Sequence, residues 1–142
     1  MVRVVSYIDG FNLYFGLKSK GWKRYYWLDL SALSESLLIP GQELQSTHYF
    51  TSRLTPTSVN WADKQRQDTY LDALQARNNV FIHYGHYLKK TRECRQCKAN
   101  WPDYEEKMTD VNIAVQLLAD AYDDKFDTAI IISADSDLVT PA

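Results

Sequence analysis

Asp9, Asp110, Asp135 and Asp137 are the residues whose type and placement point to chemistry, because each stands where an apolar strand ends or a helix begins. Tyr7-Ile8-Asp9-Gly10-Phe11-Asn12 follows Val2, Val4 and Val5, so a β-branched run ends in an acid, a glycine and an amide. Thr128-Ala129-Ile130-Ile131-Ile132 is a nearly continuous apolar run of the kind buried on both faces of a sheet, and it runs into Ser133-Ala134-Asp135-Ser136-Asp137. Asp110 precedes the stripe Ile113, Ala114, Leu117, Leu118 and Ala121, whose i, i+3, i+4 spacing marks the buried face of a helix. That spacing puts Asp110 in the first turn and on the inward side. Carboxylates that converge repel one another, and a folded chain holds them only if protons, cationic partners or metal ions neutralise the cluster. A hard divalent cation suits an all-oxygen set: Mg²⁺ binds oxygen at about 2.0–2.1 Å and keeps several waters, leaving room for a phosphate oxygen. The chemistry expected is metal-assisted phosphodiester hydrolysis. Each acid also has a plainer reading. Asp9 can cap a helix beginning near Phe11, Asp110 can complement a helix dipole, and Asp135 or Asp137 can cap a last helix.

The elements that must position these acids alternate. After the opening strand, Leu13 to Leu17 reads as one or two helical turns, with Gly10 letting the backbone turn tightly before it. Ser31 is the expected cap of a helix over Ala32 to Leu38, stopped by Ile39-Pro40-Gly41. A strand over Leu44 to Phe50, a helix over Trp61 to Ala76 and a strand over Val80 to His86 follow. Tyr87 to Tyr104 has no apolar period and reads as an excursion or hairpin, and Thr109 can cap the helix that carries Asp110. Strands and helices in alternation imply right-handed crossovers and a mostly parallel central sheet with helices on both sides. In such a sheet every strand end and every following helix start share one rim, where ligands of open α/β sheets bind. All four aspartates are therefore expected at one rim.

Three segments resemble the motifs of NYN domains, PIN-like nucleases related to LabA-type proteins: Tyr7-Ile8-Asp9-Gly10-Phe11-Asn12, Glu106-Lys107-Met108-Thr109-Asp110-Val111 and Ser133-Ala134-Asp135-Ser136-Asp137. Their order and spacing agree over the whole chain. The resemblance implies a PIN-like Rossmannoid three-layer sandwich, a Mg²⁺ or Mn²⁺ site and endoribonuclease activity. By matching position it makes Asp9, Asp110, Asp135 and Asp137 the metal-binding acids, Asn12 a polar neighbour assisting substrate or metal, and Ser133 and Ser136 supporting oxygens. Met108 stands where the family often has glycine. Residues 1–142 are expected to be one NYN/PIN-like domain that lacks its last helix and strand.

Cations and rings cluster in two other places. Lys18, Lys20, Lys23 and Arg24 precede Tyr25, Tyr26 and Trp27, and Lys89, Lys90 and Arg92 lie in the excursion with Trp101. Cations beside aromatic rings can neutralise phosphates and stack bases, so both are expected to flank the acidic rim and hold RNA; the plainer reading is a solvated charged loop. Cys94-Arg95-Gln96-Cys97 has the spacing of half a tetrahedral zinc site. His86 is the nearer histidine and the expected third ligand, a partner chain could supply the rest, and two free thiols in a loop are the alternative.

The remaining properties exclude classes. With 142 residues the chain has the size of one domain, and 45% hydrophobic with 13% aromatic residues argues against disorder. No apolar run approaches the roughly 20 residues of a membrane helix, so no membrane partner is expected. A formal net charge of −2 supplies no global field that attracts nucleic acid, and two cysteines are too few for a disulfide scaffold. A reducing, cytoplasmic setting is expected, and a homo-oligomer stays open. The first expectation is a Mg²⁺- or Mn²⁺-dependent endoribonuclease. Its rivals are a regulatory module that binds RNA or protein without turnover, and a small-molecule phosphatase, which usually wants an acid where Phe11 stands.

Overall fold

Val4 to Asp9 are all buried, so the first strand has a covered surface on both sides and must lie inside the molecule rather than at its edge. A computed structural model of the chain describes residues 1–53, 61–107 and 109–133, and for Lys23, Tyr25 and residues 86–90 and 102–107 it describes the backbone alone. In chain order the elements are β1 (Val2–Asp9), α1 (Gly10–Ser19), a 3₁₀ turn (Lys23–Trp27), α2 (Leu30–Ser36), β2 (Gln42–Thr51), α3 (Trp61–Gln75), β3 (Val80–Tyr84), β4 (His86–Glu93), β5 (Asn100–Lys107), α4 (Thr109–Tyr122) and β6 (Thr128–Ile132). Among the described residues four strands form a parallel sheet in the order β3-β2-β1-β6. The expected α/β architecture with helices on both faces is what the chain adopts.

Alternation along β1 assigns its side chains to the two layers. Val5 and Tyr7 pack with Phe50, Ile113 and Leu117 beneath α4, with Phe126, Ala129 and Ile131 closing that side. Ile8 turns the other way, toward Leu30, Tyr49, Leu71, Leu74 and Val80 beneath α2 and α3. Asp9 shares its face with Tyr7, two residues back, and so lies on the α4 side. The start of β1 is tied to the start of β6 by Arg3, whose guanidinium reaches Asp127 and Asp124, each at 2.9 Å. Its hydrogen bonds hold the Asp127 carboxyl down to about 2.

Several boundaries differ from those expected, each for a local reason. α1 begins at Gly10 because Asp9 caps it, its Oδ1 accepting the Asn12 amide at 3.1 Å. Gly10 is needed for space rather than for a special turn: a Cβ there would sit 2.6 Å from the Tyr49 ring and 2.8 Å from the Phe50 carbonyl oxygen. The cap of α2 is Asp29 and not Ser31, since Asp29 Oδ1 accepts the amides of Ser31 and Ala32 at 3.1 and 3.2 Å. β3 stops at Tyr84, where the Gly85 amide bonds to the Thr51 carbonyl at 2.8 Å and starts the turn into β4. β4 and β5 pair antiparallel as a separate two-stranded sheet, which is the expected hairpin. The start of the helix expected after Asp137 falls within residues 134–142, outside the described residues. No described helix is long and apolar enough to cross a membrane.

Candidate functional site

The carboxylate of Asp9 ends the strand at the centre of the sheet, and its residue is only 2% exposed. Its Oδ1 caps α1, while its Oδ2 accepts from Asn12 Nδ2 at 2.7 Å and from Ser133 Oγ at 3.3 Å. Asn12 Nδ2 also reaches Ser133 Oγ at 3.2 Å, closing a triangle of oxygens and an amide between the ends of β1 and β6. Asp9 therefore both caps a helix and faces a polar centre. Among the described residues no Lys or Arg pairs with it, so a nearly buried carboxylate is met by neutral donors only.

α4 runs antiparallel to β1, as a crossover helix between parallel strands must. Tyr7 meets this helix near its C-terminal end, donating to Asp120 Oδ2 at 2.7 Å, and Ile113 packs nearer its start. Moving from Tyr7 to Asp9 along β1 corresponds to moving from Asp120 toward Thr109 along α4. Asp110, half-buried in the first turn, thus belongs to the same face and the same end of the sheet as Asp9. Asp135, Asp137 and Ser136 lie outside the described residues, as does Met108. Among the described residues no three His, Cys, Asp or Glu side chains gather into a metal-holding group.

Beside the triangle is an open hollow of about 260 Å³ lined by Asn12, Leu13, Gly16, Leu17, Trp22, Ile132 and Ser133. The Trp22 amide bonds back to the Leu17 carbonyl at 3.0 Å, which folds the indole over α1. Sequence reasoning passes over Trp22 in favour of the cations around it. Those cations sit elsewhere: with α1 starting at Gly10, Lys18 and Lys20 emerge at its far end, about 12–15 Å along the axis from the rim. Lys18, Lys20 and Arg24 are exposed there, and Lys23 is described by backbone alone. Lys89 and Lys90 lie along β4, whose backbone alone is described there, and Arg92 is near the hairpin tip. His86 begins β4 while Cys94 follows its end, roughly 25 Å away at an extended strand's rise per residue, so a zinc site joining His86 to Cys94 and Cys97 is excluded.

A second polar group lies deeper on the same face and has no signal in local sequence. His48 Nδ1 and His83 Nε2 share a hydrogen bond of 2.7 Å, His48 Nε2 stands 3.7 Å from Asp120 Oδ2, and Gln116 donates to Asp120 Oδ1 at 2.9 Å. Tyr7 stacks on His48 with ring centroids 5.3 Å apart. Burial is the main reason the His48 imidazole is pushed down to about 4, with neighbouring His83 adding to it; burial also lowers His83 and raises the Tyr7 phenol.

A parallel, doubly covered sheet whose central strand ends in a buried aspartate is the arrangement of a PIN-like α/β domain. The NYN domain family model matches residues 3–142, and the chain belongs to that family, which carries nuclease-like, RNA-related domains. The chain is also similar to 6-hydroxy-3-succinoylpyridine 3-monooxygenase HspA of Pseudomonas putida (strain DSM 28022 / S16), at 31% identity over an alignment that covers 96% of this chain and 53% of that protein. The chain thus spans about half the length of this curated relative. No solved structure matches it significantly.

Proposed function

We propose that this domain is a Mg²⁺- or Mn²⁺-dependent endoribonuclease whose Asp9, Asp110, Asp135 and Asp137 hold the metal. The observation that carries this reading is Asp9 itself, a carboxylate 2% exposed at the end of the central strand with uncharged donors around it. An all-oxygen donor set of this kind fits a hard cation. When bound, the ion supplies charge neutralisation and Lewis-acid polarisation of a phosphodiester. Asn12 and Ser133 fix the Asp9 carboxylate, which leaves its remaining lone pairs directed by their hydrogen bonds rather than by solvent. The hollow beside them takes one nucleobase against Trp22, with Leu13 and Leu17 as its apolar floor. Asp110 answers Asp9 from α4, and Lys18, Lys20 and Arg24 engage the strand beyond the cleaved bond.

The test is a labelled single-stranded RNA incubated with the protein in Mg²⁺, in Mn²⁺ and in excess chelator, beside Asp9→Asn and Asp110→Asn. Cleavage that needs metal and disappears in both variants, with the fold intact by circular dichroism, is the expected result. Retention of RNA on a filter without cleavage under either metal would instead establish a binding module that keeps the acids without turnover. The oxygenase named for the curated relative belongs to a protein of which the match covers only 53%, and β1 here runs into Asp-Gly-Phe-Asn rather than into a glycine-rich dinucleotide turn. Hydrolysis therefore remains the reading the site supports best.

A further inference from the structure

The β4–β5 hairpin pairs with no strand of the central sheet among the described residues, and its tip carries both cysteines of the chain. Its turn has a specific form. The Cys94 amide bonds to the Ala99 carbonyl and the Lys98 amide to the Cys94 carbonyl, both at 2.9 Å. Lys98 takes a positive φ of 61°, a conformation a lysine rarely adopts. The backbone of Cys97 and Gln96, with the Cys97 thiol, holds the Cys94 thiol below its ordinary value. The turn, closed by the Cys94 and Ala99 backbone, holds Cys94 and Cys97 together at the hairpin tip with the two-residue spacing of a metal-binding pair. Cys94 is half-buried and Cys97 exposed, so the pair faces outward from the tip.

We propose that the Cys94–Cys97 turn is half of a tetrahedral zinc site that a second copy of this chain completes, joining two hairpins tip to tip through four thiolates. Two thiolates leave Zn²⁺ two ligands short of the closed coordination of a structural site. Within residues 1–142 no further thiolate or imidazole fills the gap. The sequence has two cysteines and three histidines; His48 and His83 bond each other in the central sheet, and His86 lies at the opposite end of β4. A second copy brings an identical pair, and placing the metal on a two-fold axis makes the contact self-complementary. Charge agrees. Four thiolates around Zn²⁺ leave the centre negative, and each copy contributes Arg95 and Lys98, both exposed, directly beside it. Each thiol loses its proton on coordination, and no oxidant is involved.

The full chain, kept in a phosphine reductant, is titrated with Zn²⁺ while its mass is followed by light scattering and bound metal by mass spectrometry. One zinc per two chains and a doubling of mass, both reversed by chelator and lost in Cys94→Ser and Cys97→Ser, is the expected result. Co²⁺ substitution of the unaltered chain should give the charge-transfer and visible bands of a tetrahedral tetrathiolate, a readout that does not depend on a variant folding. Absence of bound zinc, one zinc on each monomer, or a dimer that persists in Cys94→Ser overturns the proposal. Asp9→Asn should leave all these readings unchanged, so failure of the nuclease reading and failure of this one are told apart.

Discussion

Acid should weaken this protein through His48 well before its carboxylates titrate. The imidazole is 8% exposed and faces His83 from β3, Asp120 and Gln116 from α4, Tyr7 from β1 and Ser46 from its own strand. Desolvation holds it down to about 4 in the folded state, against 6.5 for a solvated histidine such as the unfolded chain presents. A depressed histidine favours folding fully only above its unfolded value. As pH falls below that value the unfolded chain takes up a proton that the folded one refuses, so stability declines until the folded imidazole titrates as well. Integrating this difference from about pH 7.5 to about pH 4.5 gives a loss of at most about 2.5 kcal/mol, since each tenfold difference in proton affinity between the two states corresponds to about 1.4 kcal/mol. His83 is depressed too and adds in the same direction. Asp127, held at about 2, loses its contribution only as pH drops through that lower value, so the two effects occupy separate windows. Urea denaturation followed by tryptophan fluorescence at half-unit steps of pH should show the decline, and His48→Phe should flatten much of it. Stability that stays level or rises from neutrality down to about pH 5 would overturn this account of the buried imidazole.

Three further outcomes are expected. Gly10→Ala forces a methyl against the Tyr49 ring and the Phe50 carbonyl, and should cost about 1–3 kcal/mol in urea denaturation, the usual range for overpacking; an unchanged midpoint would show that the rim yields. Trp22→Ala, at a residue 52% exposed, should leave the melting temperature unchanged while weakening single-stranded RNA binding by about 5- to 150-fold, the scale of one base stacked on a ring. Filter binding at fixed salt measures it. Asn12→Ala should lower the metal-dependent cleavage rate and raise the metal concentration needed for half-maximal activity, because Asp9 then loses the partner at 2.7 Å that orients it; equal loss at saturating metal would point to a role outside metal binding.

The parallel sheet, α3 and α4 are legible in the sequence because apolar runs and a 3.6-residue stripe dominate those stretches, and the acid-to-glycine turn after β1 marks the rim. Apolar spacing alone starts helix α1 three residues late, because its cap, Asp9, also has the type and position of a chemical group; the residue serves both ends. Asp29 escapes notice as a cap since Ser31, two residues on, has an equally good capping side chain and only backbone geometry separates them. The earlier start of α1 is also what carries its basic residues away from the acids. The Tyr7–Asp120–His48–His83 group is beyond the reach of sequence because its members come from four elements up to 113 residues apart, and no local period links them. His48 and His83 meet through the β2–β3 register, where His48 lies opposite Phe81 and Phe50 opposite His83.

The order of strands also has a consequence for synthesis. β1 emerges from the ribosome well before its partner on one side, β6, with Val4 matched to Thr128. Until β6 is made, one flank of β1 has unpaired amides and carbonyls, and the nascent chain is open to strand exchange with a neighbour. Contacts this distant in sequence also slow folding, because a long loop must close before they form. Arg3, reaching Asp124 and Asp127 just ahead of β6, is placed to pull that strand into register as soon as it appears.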